Sequence, residues 1–447
     1  MSMENQVQAQ IKDTSGDYVT SVVPLSERKS SANVFATVAG WIICLSTMLT
    51  GGSLASGLDF RTAMLATIIG MLILTVISAP LAALGGRFGV STTILTKAVF
   101  GDWGSKIFGL ILVLLNGIGW FAFQAAFFAL TMQQLIPNTI FSNLIVGSLI
   151  GGFLMTLTAV YGYKSISILS FVAVPLIILL SFFGGLAAVV QGGGASALIE
   201  ATPTGDPIDL VTGISIVVGN AVLGSIILSD ISRYAKDANT GAISASAGYL
   251  IGGIFTITTG LAMAFVTNVS SVGTTPNLPE VMIKMGLGVG ALIILVLAQW
   301  TTNTANLYSA SLGLGSFINV PQKYTVSIMG VIGTVLAIFN VYEYFIPFLV
   351  IMGTVLPPIG GVMIADYFVF HKNVLKRDYE FESTSKHPKL NILAVVIVLL
   401  SAYLTRFIPF FTPSFNSLAI AFVLYSIVSM LLYKSNVNFY IGHNERS

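Results

Sequence analysis

Charge is scarce in this chain. Only 9% of its 447 residues are Asp, Glu, Lys or Arg, where a soluble domain carries about 25%. A net charge of +2 is too small to hold a nucleic acid by its phosphates. Cys44 is the only cysteine, so no disulfide can form within the chain. Histidine is rare as well. His371, His387 and His443 all fall in polar segments near the C-terminal end, so the apolar segments lack the usual ligands of a zinc hydrolase. They also lack paired carboxylates at one depth. No enzyme activity and no cofactor are expected. The rings of like charge or repeated filter that mark a channel are missing too.

Apolar residues fill the chain instead, at 55% of the total and a mean hydropathy of +0.89. Runs long enough to cross a bilayer as helices recur along nearly the whole length, and imply an all-α integral membrane protein of about twelve transmembrane helices. Spans one to six are expected near 34–57, 61–84, 107–130, 141–161, 168–190 and 210–228. Spans seven to twelve follow near 248–266, 288–312, 325–340, 345–370, 391–411 and 418–433. Residues 1–32 are polar and are expected as a disordered cytoplasmic tail, unlike a cleaved signal peptide. Residues 434–447 form a second cytoplasmic tail. Between spans two and three, the Gly-punctuated stretch 85–106 reads as a loop with a short helix. With the N-terminus inside, outer loops and span edges hold only Arg61, Lys284 and Arg406, and the other 17 of 20 basic residues fall inside. This bias puts both termini in the cytoplasm of a cell-membrane protein.

Polar residues inside the spans point to function. In Leu297–Tyr308, LAQWTTNTANLY, six of twelve residues are Gln, Thr or Asn. Groups that hydrocarbon cannot solvate should face protein or a water-filled cavity. Helical spacing puts Ala298, Thr301 and Thr302 on one face and Gln299, Asn303 and Asn306 on an adjoining one. The hydroxyls either ligate a small hard cation or bond to helix backbone. In span three, Trp120 and Gln124 lie one turn apart and suit a flat heteroaromatic ring, by stacking and by paired donor and acceptor. Span one is either straight with a small-residue packing face or broken near Ser46–Gly52. Span six carries an interruption at Asn220, whose amide could meet a substrate. Asp230 and Arg233 at its end read as a structural i,i+3 pair. Spans one and six, and the polar spans three and eight, are each five apart. An odd repeat of five gives two inverted halves, 33–190 and 208–370, followed by helices eleven and twelve over 391–433.

The motifs LTGGSLASGL, GWFAFQ, SDISRYAKD, AQWTTNTANLY and PPIGGVMIADYF, in this order, resemble the nucleobase–cation symporter-1 family. The resemblance is to its bacterial cytosine and purine–cytosine permease branch. It implies two inverted five-helix repeats plus two helices, as in sodium-coupled amino-acid transporters. It further implies sodium held by the carbonyls of Gly40, Ile43 and Ala298 and the hydroxyls of Thr301 and Thr302. The implied substrate pocket holds Trp120, Gln124, Asn220, Ala221 and Gly224, with either Asn303 or Asn306, and span-one backbone near Cys44 and Leu45. Ala221 departs from the pattern, since relatives place an aromatic there. Trp41, Phe121 or Trp300 could supply the missing ring face, or the pocket could take a bulkier ring. The implied activity is uptake of a nucleobase-like ring with sodium, by a monomer in the lipid bilayer. Proton-coupled uptake of a hydantoin, allantoin or thiamine-precursor pyrimidine is the alternative. Asp230, Glu343 and Asp366 sit near span edges, which favours sodium over a proton relay.

Overall fold

The apolar runs fold as helices because a helix satisfies its own backbone groups in hydrocarbon. The computed structural model describes residues 21–161, 163–203, 205–267, 271–272, 275–315, 320–381 and 387–442. The first span is two helices, α1 (Ser31–Ile42) and α2 (Leu45–Gly57), bent by 55° at a break between them. Next comes α3 (Phe60–Phe88), capped by Asp59, which accepts the Thr62 amide at 3.0 Å. Gly89, in the left-handed region at φ 69°, ends it. α4 (Thr92–Leu112) runs through a π-helical stretch, Val113–Trp120, into α5 (Phe121–Leu135). There follow α6 (Leu144–Val160), α7 (Tyr163–Gln191), α8 (Leu210–Ile226), α9 (Ser246–Thr267) and the short α10 (Leu278–Lys284). Then come α11 (Gly288–Gly315), α12 (Gln322–Ala337), α13 (Phe345–Val355) and α14 (Pro357–Ala365), which continues as a π-helix over Asp366–Leu375. α15 (Ile392–Leu404) and α16 (Pro413–Lys434) complete the bundle. Two antiparallel ladders join β1 (Ser271–Val272) to β2 (Thr275–Pro276) and β3 (Leu390–Asn391) to β4 (Tyr440–Ile441).

Eight helical stretches among the described residues are long and apolar enough to cross a membrane, or nine with the bent pair. That is fewer than the twelve expected. The shortfall lies in α6, α12 and α15, which hold 17, 16 and 13 residues, short of the roughly 20 that a crossing needs.

Two expectations about polar segments change. The stretch after span two is helical from Thr92 and joins span three with one interruption, at Gly101 (φ 79°). A Cβ there would stand 2.6 Å from the Pro388 carbonyl oxygen, because residues 388–390 cross at this point. Residues 1–20 of the expected disordered tail lie outside the described residues, as do 443–447 of the second tail. The remainder of the first tail is held in place. The Val23 amide donates to the Gly89 carbonyl at 2.8 Å, and Arg28 donates to the Gly86 carbonyl at 2.5 Å. The last carbonyls of a helix lack partners within it, and a guanidinium suits them.

Helix packing rests on close backbone approach. A Cβ on Gly260 of α9 would stand 1.9 Å from the Met48 carbonyl oxygen, and one on Gly51 of α2 would stand 2.0 Å from that of Ile257. Small residues at membrane helix interfaces allow such contacts. α9 therefore packs along both halves of the first span, and α11 lies against α5, α6 and α7.

Candidate functional site

The break in the first span falls at Ile43 and Cys44, upstream of the Ser46–Gly52 stretch where it was expected. Cys44 is extended at φ −138°, ψ 168°, and its amide bonds to the Ile42 carbonyl at 2.9 Å. That amide is lost to the Gly40 carbonyl, its partner in a continuous helix. Ser46–Gly52 stays helical within α2, and hydroxyls in and beside it bond back to carbonyls one turn earlier. Thr50 Oγ1 donates to the Ser46 carbonyl at 2.9 Å and Ser53 Oγ to that of Leu49 at 3.0 Å. Span six is not interrupted at Asn220 either. α8 runs unbroken to Ile226, and Gly219 serves packing, since a Cβ there would stand 1.7 Å from the Leu349 carbonyl oxygen on α13.

A cavity of about 90 Å³ opens at the break, room for several waters at about 10–15 Å³ each. Trp120, Asn220, Gly224, Cys44, Thr302 and Asn306 all line it. The break in the first span, the π-helical stretch, α8 and α11 thus bring most of the sequence-derived candidates to one place. Trp120 ends the π-helical stretch, and its indole is braced by edge contacts to Phe345 and Phe348, with centroids 5.9 and 5.6 Å away. Asn220 Nδ2 donates to Thr47 Oγ1 at 3.2 Å, and its Oδ1 is buried with no partner. Gln124, one turn beyond Trp120, is fully buried, and neither its oxygen nor its nitrogen is hydrogen-bonded. It does not line the cavity wall. Ala221 is buried outside the lining, and its carbonyl accepts the Tyr249 hydroxyl at 2.5 Å.

The polar stretch on α11 divides by direction. Gln299 donates to Thr131 at 2.9 Å, Trp300 Nε1 to Thr158 Oγ1 at 3.0 Å, and Asn303 to the Phe121 carbonyl at 3.1 Å. These three turn toward α5 and α6, which removes Asn303 and Trp300 from the cavity. Thr302 and Asn306 face it. Phe121 is also turned away, with its ring where a Cβ on Gly333 of α12 would stand 2.6 Å from Cδ1. Of the three candidate rings, only Trp41 lines the cavity.

The residues expected to bind a cation offer oxygen alone. Thr301 Oγ1 donates to the Ala298 carbonyl at 3.0 Å, so these two groups are already in contact. Of the five, Thr302 alone lines the cavity, and the other four expected oxygens belong to the end of α1 and to the same stretch of α11. This donor set suits a hard monovalent cation at a broken helix.

Several lining residues escaped the sequence analysis, among them the polar Ser46 and the apolar Ile42, Leu223 and Ile227. Asn116 and Thr47 line the cavity, and so does Tyr249 from α9. Asn116 lies four residues before Trp120, a helical spacing that could have found it. Tyr249 left no such signal. Asp230, Glu343 and Asp366 are not in the lining. Asp230 accepts the Thr92 amide at 2.7 Å, a link between span six and α4. Asp366 is fully buried, accepts from Tyr379 Oη at 2.5 Å and from Tyr425 Oη, and lies 3.2 Å from His371 Nδ1.

A bundle of long apolar helices around a polar cavity at a helix break is the build of a multi-pass membrane protein. The chain belongs to the nucleobase–cation symporter-1 family, in its cytosine and purine permease branch. Residues 22–432 match the family described as permeases for cytosine/purines, uracil, thiamine and allantoin. The cytosine permease of Escherichia coli (strain K12) is 30% identical over 393 residues, which cover 88% of this chain and 89% of that protein. The structure of Mhp1 in an inward-facing conformation is similar with a TM-score of 0.78 at 19% identity, over 95% of this chain and 94% of that one. Mhp1 in a closed conformation with bromovinylhydantoin bound gives 0.71 at 20% identity, over 95% and 97%. At such identities the likeness to Mhp1 is one of fold.

Proposed function

We propose that this chain imports a nucleobase-type ring by cation symport, with sodium as the coupling ion, through alternating access. The observation that carries this is the meeting of Trp120, Asn220, Thr302 and Asn306 in one cavity at the break of the first span. The ring stacks on Trp120 and bonds to Asn220 and Asn306. Gln124, one turn behind Trp120 and outside the cavity wall, holds a donor–acceptor pair without partners and reaches the ring when the cavity closes on it. The name of the Escherichia coli relative supports cytosine as cargo, and the family description adds purines. The hydantoin bound by Mhp1 keeps hydantoins as the second class, and the family description, which names thiamine and allantoin, adds allantoin and thiamine-precursor pyrimidines.

Sodium binds between the break and α11, on the carbonyls of Gly40, Ile43 and Ala298 and the hydroxyls of Thr301 and Thr302. Since Thr302 also lines the ring cavity, ion and ring can each favour the same conformations, which is the condition for coupling. Two inverted five-helix repeats frame the site. The pairing of helices supports this. α9 packs on the first span as α8 packs on α3, and α11 pairs with α12 as α5 does with α6. Exchange of the halves maps each pair onto the other. The basic end, with Arg28, Arg87 and Lys372, lies in the cytoplasm of the cell membrane with both termini, and the protein acts as a monomer.

Proton coupling is the second reading, favoured by the buried Asp366–His371 contact. That pair is committed to Tyr379 and Tyr425 and stays outside the cavity, so sodium is preferred. Uptake of labelled cytosine, adenine and hydantoin into proteoliposomes separates the two. A sodium gradient should drive uptake. Uptake indifferent to sodium that collapses with the pH gradient would overturn the sodium assignment.

A further inference from the structure

Trp41 sits at the end of α1, between Gly40 and Ile43, and its indole lines the cavity. It is 40% exposed, the only Trp or Tyr of the lining so open, while Trp120 is 5% and Tyr249 2% exposed. Tyr249 stands beside it, with ring centroids 6.1 Å apart and planes at 45°. The Tyr249 hydroxyl is fixed on the Ala221 carbonyl at 2.5 Å, so α9 and α8 together hold this ring still. Gly224 makes the arrangement fit. A Cβ there would stand 2.4 Å from Tyr249 Oη and 3.2 Å from Trp41 Cη2. The lining residues of α8 and its C-cap, namely Asn220, Leu223, Gly224 and Ile227, include no ring.

We propose that Trp41 is the second ring-stacking wall of the cavity and the residue that transmits ring binding to the cation site. The inference rests on the proposed sodium-coupled transport of a ring. Trp41 shares one turn of backbone with the Gly40 and Ile43 carbonyls. A ring stacked on its indole fixes the last turn of α1, and with it the direction of those carbonyls. Trp120 is on another helix, braced by α13, and carries no such connection. Two aromatic walls therefore have separable roles. Trp120 contributes affinity alone. Trp41 contributes affinity and coupling. Tyr249 positions Trp41 from behind.

Binding of cytosine and adenine to the purified full-length protein, titrated at zero and saturating sodium, tests this. Each variant gives an affinity and a sodium-dependent ratio of affinities. Wild type should show a ratio within the roughly 5- to 150-fold range of coupled sites. Trp41→Ala should bring the ratio below about 2-fold, and Trp41→Phe, which keeps a ring, should restore most of it. Trp120→Ala should weaken binding while leaving the ratio unchanged. A Trp41→Ala protein that keeps the wild-type ratio overturns the inference and leaves sodium-coupled transport standing. A Trp120→Ala protein that loses the ratio as fully as Trp41→Ala also overturns it. If wild type binds neither base, or binds without regard to sodium, the underlying function fails and takes this inference with it. Thermal melts of each variant without ligand guard against misfolding, and Trp41→Phe serves as the folded comparison if Trp41→Ala melts early.

Discussion

Asn220 on α8 donates from Nδ2 to Thr47 Oγ1 on α2 at 3.2 Å, across the cavity wall just beyond the helix break. Its Oδ1 is buried without a hydrogen-bond partner. The amide is thus held by one atom and ready with the other. A buried acceptor left unpaired costs about 1–3 kcal/mol, recovered when a ring N–H arrives. Asn220→Ala should therefore weaken ring binding about 5- to 150-fold, measured by equilibrium binding in detergent. Unchanged affinity would remove Asn220 from the substrate site.

Gln124 should show opposite effects on stability and function. Both of its amide atoms are buried and unpaired. Gln124→Leu replaces them with an apolar group of similar size, so the ligand-free protein should melt no lower than wild type. Uptake should fall at least about tenfold, because the donor–acceptor pair is gone. A variant that transports normally would make Gln124 a packing residue.

The α11 hydroxyls and the Trp120 indole should separate ion from ring. Thr302→Ala should raise the sodium concentration for half-maximal uptake about tenfold, with a smaller effect on ring affinity at saturating sodium. Trp120→Ala should do the reverse. Sodium titrations of uptake at fixed substrate read both. Equal effects of the two substitutions on both readouts would contradict the division.

Gly260 has no room for a side chain. A Cβ would lie 1.9 Å from the Met48 carbonyl oxygen, on backbone that cannot swing aside. Gly260→Ala should force α9 away from α2 at a cost of at least about 1–3 kcal/mol. The expected result is a lower melting temperature and less folded protein by size-exclusion chromatography. Gly290→Ala, where a Cβ meets nothing within 4 Å, is the matched control and should behave as wild type.

Asp378, in the loop after the π-helix, predicts an acid limit. Burial pushes its pKa up, but hydrogen bonds from Lys372, Tyr367 and Arg87 prevail and hold it down to about 2. A carboxylate depressed in the folded state contributes stability that is complete above its unfolded pKa. That contribution is lost as pH falls through about 4 toward about 2. Melting temperature in detergent should drop across this window, and Asp378→Asn should flatten the drop. The partly exposed site makes the effect small. An identical acid profile in the variant would show that another group sets the limit.

Much of the site was legible in the sequence because hydrocarbon makes polar residues conspicuous. Trp120, Asn220, Thr302 and Asn306 stand out in apolar runs and line the cavity, while Gln124 stands out equally and is buried beside it. The position of the helix break was harder to read. Ser46–Gly52 looks like a helix breaker, yet it stays helical, and the break moves to Ile43 and Cys44. Gly219 and Gly51 likewise look like interruptions. They are contact points where another helix presents a carbonyl. Composition cannot tell a glycine that bends a helix from one that admits a neighbour.

By itself the sequence determined the membrane class and the family, because these follow from apolar run length and local motif order. Tertiary structure alone decided which polar groups share the cavity. Asn303 and Asn306 are three residues apart on one helix, yet one is spent on the Phe121 carbonyl and the other faces the site. Tyr249 reaches the cavity because Gly224, on a different helix, leaves space for its hydroxyl. Such choices depend on contacts between helices far apart in the chain, and no local spacing carries them.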